Sequence, residues 1–201
     1  MNGKTHQLVG LTGGILTSAV LYKAGVFDVP ACAATILGSS IGSYIPDIDH
    51  VGSVAGRKVA ILSWPIKGLF HIFKWLHQKT KLKIFDTLSE MFTHRGIFHA
   101  PLFWLALFLP LFIFAIPAIE YEFAKLVVAS LLFGLLLGIA LHLFADMLNP
   151  TGIPLLMPFC NKKFRLARIV TGSGGELLFK LVMIIIFFVV ALISFAIMQG
   201  R

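Results

Sequence analysis

The chain has 201 residues, 58% of them hydrophobic and only 13% charged, and its 19 Phe outnumber its 9 Asp plus Glu. A soluble domain has no core large enough for that much apolar surface, so the composition excludes a soluble globular protein and predicts a single membrane-embedded domain over residues 1–201. The formal charge of +8 would suggest nucleic acid in a soluble protein; here it is assigned to loops facing the cytoplasm and anionic lipid, and no nucleic-acid partner is expected.

The first segment, residues 7–22, is short and rich in Gly, Thr and Ser, the small residues that let helices approach closely in lipid. His6 stands at its start, with Thr5 as a potential cap. Only Lys4 precedes it as a positive charge and no clear small-x-small cleavage site follows, so the segment is expected to be retained rather than removed as a signal peptide. Segment two, residues 29–45, opens on Pro30, a good first-turn residue, and carries a small-residue surface in Gly38-Ser39-Ser40-Ile41-Gly42. It ends in Pro46-Asp47-Ile48-Asp49-His50, which places three side chains of metal-ligand type within four residues.

Residues 51–93 differ from the rest. Lys67, His71 and Lys74 interrupt the apolar run of residues 59–77, and Trp64, Phe70, Phe73 and Trp75 stand among them. That mixture predicts a basic, amphipathic insert over residues 59–83 lying in the membrane interface, with His71 and His77 as interfacial residues. Thr93-His94-Arg95-Gly96-Ile97-Phe98-His99 follows. Segment three, residues 97–118, is almost wholly apolar, with Pro101, Pro110 and Pro117 expected to bend it. Segment four, residues 125–140, has no charge after Lys125, and Gly134 and Gly138 are spaced for close packing. His142 and Asp146 appear at its end, four residues apart and therefore on one face of a helix. An imidazole and a carboxylate so placed are what a divalent metal takes from a helix. Asn149-Pro150 and Thr151-Gly152 stop it. Ser173-Gly174-Gly175-Glu176 reads as a capping box that starts segment five, a plain anchor over residues 177–198. Cys32 and Cys160 give neither a disulfide framework nor a zinc-finger spacing.

The fold class is therefore all-α: an integral membrane helical bundle of about five spans plus an interfacial amphipathic segment. Such a topology puts the N-terminus, residues 47–95 and residues 149–175 on one side. That side carries Lys4, eight basic residues in the long loop and four in the next, so it is expected to be cytoplasmic. Every candidate ligand then falls on it: His6, Asp47, Asp49, His50, His94, His99, His142 and Asp146, all within residues 5–152. Nitrogen and oxygen ligands without thiolate suit zinc, manganese or iron, and their number is enough for two ions, zinc or manganese being expected.

The order His6, Pro46-Asp47-x-Asp49-His50, His94-Arg95-Gly96-x-x-His99, His142-x-x-x-Asp146 and Pro150-x-Gly-x-Pro154-Leu-Leu resembles the LexA-regulated, membrane-bound metal-dependent hydrolases of bacterial inner membranes, the YdjM type. The resemblance covers about residues 5–170 and is carried by the combined motif set. It implies a hydrolase with the His and Asp residues as metal ligands. Residues 59–93 form a longer basic insert between the Asp-x-Asp-His and His-Arg motifs than the family pattern leads one to expect. An N-terminal ligand with His-x-x-x-Asp is also similar in spacing to the zinc-dependent phospholipase C and nuclease group.

The chemistry expected is hydrolysis of a phosphoester at the cytoplasmic membrane face, with a membrane lipid as partner and potential substrate. Arg95 and Asp49 are the candidate catalytic residues. Arg95 stands between two ligands and can clamp a phosphate by its planar fork, or contact lipid phosphates at the membrane edge. Asp49 or Asp47 can bridge two ions or act as base. The rival classes are an intramembrane metalloprotease, whose His-Glu-x-x-His motif is absent, a metal transporter, which places ionisable groups near mid-bilayer, and a membrane protein with a purely structural metal.

Overall fold

The computed structural model describes residues 1–49 and 60–200. In chain order these form α1 (Gly3–Lys23), α2 (Val29–Gly42), a 3-10 turn (Ile45–Asp49), α3 (Ala60–Thr80), α4 (Lys83–Met91), a second 3-10 turn (Ile97–His99), α5 (Pro101–Pro110) with a π-helical continuation (Leu111–Ala115), α6 (Glu122–Met147) and α7 (Gly174–Gln199). The all-α expectation holds. The β pairing among the described residues is an isolated bridge between Ile153 and Phe164. His50 and residues 51–59 lie outside the described residues.

Local chemistry explains the boundaries. Asn2 and Asp28 cap α1 and α2 by accepting from Thr5 N and Ala31 N, with Pro30 in the first turn of α2. Segment three starts later than residue 97. Pro101 disfavours a helical conformation at the residue before it, and Ala100 is accordingly extended (φ −96°, ψ 118°). The helix then opens on Pro101 itself. Pro110 has no N–H to give, and the chain continues there in a wider turn in which Ile116 N donates to Leu111 O at 2.9 Å.

Helix lengths divide the molecule. α6 and α7, of 26 residues each, are long and apolar enough to cross a membrane. The apolar stretch Pro101–Ala115 is shorter, and α2 has only 14 residues, or about 21 Å of helix. α2 ends at Gly42 rather than at residue 45 because the chain turns into the 3-10 segment that carries Pro46 and Asp47.

The bundle is held by close backbone contact. α2 packs on α6 and α1, and α1 packs also on α6 and α7. The small residues on α2 and α6 meet as the sequence suggested. A Cβ on Gly138 would lie 2.1 Å from Ser39 O, and one on Gly42 the same 2.1 Å from Leu135 O. No side chain fits at either position. Thr35 Oγ1 donates to Ser130 O across this interface, and Ser39 Oγ to Gly10 O on α1. These are the interhelical bonds that hold helices together where lipid is as apolar as the side chains. Below them Trp104, Phe108, Ile139, Leu143 and Ile153 form an apolar core between α5 and α6. α3 and α4 pack on each other, and α3 also touches the Ile45–Asp49 turn. α3 keeps Trp64 and Trp75 exposed.

Candidate metal centre

The ends of four helices bring the polar residues together. His6 lies in the second turn of α1, and Asp47 and Asp49 in the turn that leaves α2. His99 closes the turn that enters α5, and His142 and Asp146 lie in the last turns of α6. Since α1, α5 and α7 begin at this end and α2 and α6 finish there, the helices alternate in direction.

Asp47, His99, His142 and Asp146 form a group that could hold a metal ion, each offering one ligand atom and all of these within 4.8 Å of one another. Around it, His99 Nε2 is 3.3 Å from Asp146 Oδ2 and 3.5 Å from Asp47 Oδ1. His142 Nε2 stands 3.7 Å from the same two oxygens. His6 Nε2 is 3.4 Å from Asp146 Oδ1, and the His6 ring stacks on His142 with centroids 3.9 Å apart. His6, His99, His142 and Asp146 are at most 1% exposed.

His142 is oriented by the backbone. Its Nδ1 is 2.7 Å from Ser43 O. A carbonyl only accepts, so Nδ1 carries the proton and Nε2 turns its lone pair toward the cluster. This is the outer contact a ligating histidine uses to fix its tautomer. It exists because Gly138 and Gly42 let α2 approach α6 so closely.

The donor chemistry fits a cation. Both nitrogens of His6 and of His99, His142 Nε2, Asp146 Oδ2 and Asp49 Oδ2 are buried without a hydrogen-bond partner. Buried polar atoms are normally satisfied, because each orphan costs about 1–3 kcal/mol. So many orphans pointing at one another, all lone-pair donors or able to become so, are what a divalent ion satisfies at once. Asp47, outside the helices, is held below the ordinary carboxylate range. Burial alone would raise it, but the nearby imidazoles of His99, His142 and His6 outweigh burial.

The remaining predicted residues sit beside this group. His94 Nδ1 is 3.1 Å from Asp49 Oδ1, and Asp49 Oδ2 is 4.0 Å from His99 Nδ1. The pair thus adjoins the first cluster on the side facing α3. Arg95 Nη2 donates to Asp146 Oδ1 at 3.1 Å, and its Nη1 is buried without a hydrogen-bond partner. Arg95 adopts a left-handed backbone (φ 61°), a conformation that side chains other than Gly rarely take and that is often kept at functional sites. His50 lies outside the described residues. His77 bonds Leu82 O through Nδ1, away from the cluster.

Two contributors were not anticipated. Ser43 acts through its carbonyl, which no side-chain motif announces. The sequence marks Glu176 only as half of a capping box. Ser173 does cap α7, but the Glu176 carboxylate is buried and accepts from Gly172 N, Asn2 N and Thr5 Oγ1. It thereby ties the first turn of α1, and with it His6, to the start of α7.

A family model described as YdjM inner membrane protein matches residues 1–201. The inner membrane protein YdjM of Escherichia coli (strain K12) is 34% identical over 133 residues, 66% of this chain and 53% of that protein, and its Shigella flexneri counterpart gives the same figures. The chain thus spans about half the length of these two relatives. The uncharacterized protein YvsG of Bacillus subtilis (strain 168) is 32% identical over 176 residues, 88% of this chain and 85% of that protein. No solved structure matches.

Proposed function

The chain belongs to the YdjM inner membrane protein family, and from that premise we propose that it is a metal-dependent phosphoester hydrolase of the bacterial inner membrane, acting at the cytoplasmic face. The observation that carries this reading is the convergence of buried, unpartnered His and Asp atoms at one end of the bundle. A transporter would place such groups near mid-bilayer.

In this reading His6, Asp47, His99, His142 and Asp146 hold one ion, and His94 and Asp49 beside them contribute to a second. Zinc and manganese are the ions this donor set suits. A divalent ion held there supplies Lewis acidity toward a phosphoryl oxygen and brings the acidity of water into the neutral range. The protein's own groups do the rest. Ser43 O keeps His142 in one tautomer, and Glu176 fixes the helix that carries His6. Arg95, anchored on Asp146 through Nη2, has Nη1 for a phosphoryl oxygen. Asp49, hydrogen-bonded to His94, is the carboxylate that takes up a proton from the attacking water.

A lipid substrate is supported by the surroundings. A cavity of about 470 Å³ opens between α5 and α6, walled by Trp104, Ile139, Leu143 and Met147, and so runs along the helix that carries His142 and Asp146. That cavity offers an acyl chain apolar surroundings beside the helix that carries the cluster.

The bundle is further proposed to be a five-span one with the N-terminus cytoplasmic, supported by the basic loops on the cluster's side. A reporter fused after Arg201 should then report periplasm. A cytoplasmic signal would remove one span. The activity is tested by phosphate or headgroup release from mixed lipids in detergent, with chelated protein as control. Metal-dependent release is expected. Equal release by the chelated protein, or turnover of soluble peptides alone, would overturn the reading.

A further inference from the structure

The basic insert gains a place in the molecule once α3 is seen against the cluster. A second cavity, of about 330 Å³, lies between α3 and the polar end of the bundle. Asp49 and His94 line it from the bundle, and Lys67 and His71 from α3. Lys67 and His71 are four residues apart, so they stand one above the other on a single face of that helix. Phe70, Phe92 and Thr93 also line it.

Aromatic contacts fix this arrangement. Phe73 stacks on Phe92 at 5.8 Å, which docks α3 on the chain that leads into His94. Phe70 meets the His71 ring edge-on at 5.2 Å. Lys74 lies over the Phe70 ring at 5.4 Å and is not in the cavity wall. The helix therefore presents one selected cation and one imidazole, rather than basic charge in general. Opposite them, Asp49 Oδ1 is engaged by His94 at 3.1 Å and the Asp49 side chain is buried, so the groups that α3 turns to an incoming molecule are donors.

We propose that Lys67 and His71 form an anion-recognition wall at the mouth of the candidate metal centre, and that the ligand is a phosphoryl group. The ammonium supplies charge and rotatable donors, and His71 supplies a ring N–H whether or not the imidazole is charged. The phosphoryl group enters between α3 and the His94 loop and meets Lys67 and His71 before the buried cluster. The proposal names the recognition step of the phosphoester reading above and rests on it, but it is read by binding rather than by turnover.

The full chain, purified in neutral detergent and loaded with zinc or manganese, is titrated calorimetrically with inorganic phosphate. In a second arm it is titrated with phosphatidic acid in mixed micelles, with phosphatidylcholine as the reference. The double variant Lys67→Gln/His71→Gln should weaken binding about tenfold or more, the loss of charge-assisted hydrogen bonds, at unchanged metal content. Lys67→Arg should retain most of the affinity. Lys79→Gln, which removes the same charge from the far end of α3, should change nothing. Binding of both ligands identifies the phosphoryl group itself as the determinant; binding of phosphatidic acid alone identifies a lipid headgroup. No binding by the parent protein, an unchanged double variant, or an equal loss in Lys79→Gln would overturn the proposal. Phosphate binding that depends on Lys67 without any hydrolysis would keep the wall and remove the hydrolase. Hydrolysis with an unchanged double variant would do the reverse.

Discussion

α6 and α7 have the same length, 26 residues, and both are apolar enough to span a bilayer, yet they do different work. α6 buries Ser130, Gly134, Gly138, His142 and Asp146 against α1 and α2. α7 buries Glu176, Val190 and Ser194 and leaves Leu178, Ile185, Phe188 and Leu192 exposed. Hydrophobicity does not separate them. What separates them is the placing of small residues. Where Gly removes the side chain, a neighbouring backbone can approach, and its carbonyls become available to orient a histidine. Where Leu, Ile and Phe line every face but the one that meets α1, lipid is the better partner for the rest.

Breaking the close approach on α6 should have the largest effect. Gly138→Val puts a side chain where even a Cβ meets Ser39 O at 2.1 Å; we expect a loss above about 4 kcal/mol, read as failure to purify folded protein or a collapse of Tm in detergent. The matching lesion on α7, Ile185→Ala at a site 64% exposed, should shift stability by no more than about 0.5 kcal/mol. Equal damage from both would mean that α7 is packed in the membrane and the contrast is false.

Next come the ligands of α6. His142→Ala and Asp146→Ala should each cut bound metal by well over about tenfold, since each removes a direct bond from the helix that pre-orients both. Mass spectrometry of the purified, metal-loaded protein measures this, and retention of metal by either variant would break the assigned ligand set.

Glu176→Ala sharpens the comparison from the other side, because it tests the one buried carboxylate that α7 brings to this end. It should weaken metal binding about tenfold, the cost typical of an outer-shell partner, by loosening the start of α1, which positions His6. A Glu176 variant with unaltered metal affinity would reduce that contact to a helix cap. The smallest effect is expected from His71→Ala, which should leave metal content unchanged within about twofold, since an outer-shell loss already costs tenfold. Loss of metal there would move His71 from the mouth of the site into it.

The sequence by itself determined the all-helical class, the long apolar helices and the gathering of the polar residues at helix ends. All three follow from local properties: apolar run length, the four-residue spacing of His142 and Asp146, and where loops interrupt the runs. It also marked Gly38, Gly42, Gly134 and Gly138 as close-packing positions, and all four prove to face backbone atoms of the neighbouring helix. The tertiary structure alone decided which of these residues meet. The stack of His6 on His142, the Ser43 carbonyl behind His142 Nδ1, the reach of Glu176 to Thr5, and the docking of α3 through Phe73 and Phe92 all depend on the rotation and separation of different helices. A helical repeat of 3.6 residues fixes what shares a face within one helix, but says nothing about which face of the next helix it will meet. That choice is made by how closely two backbones can approach, which here is set by the glycines of α2 and α6.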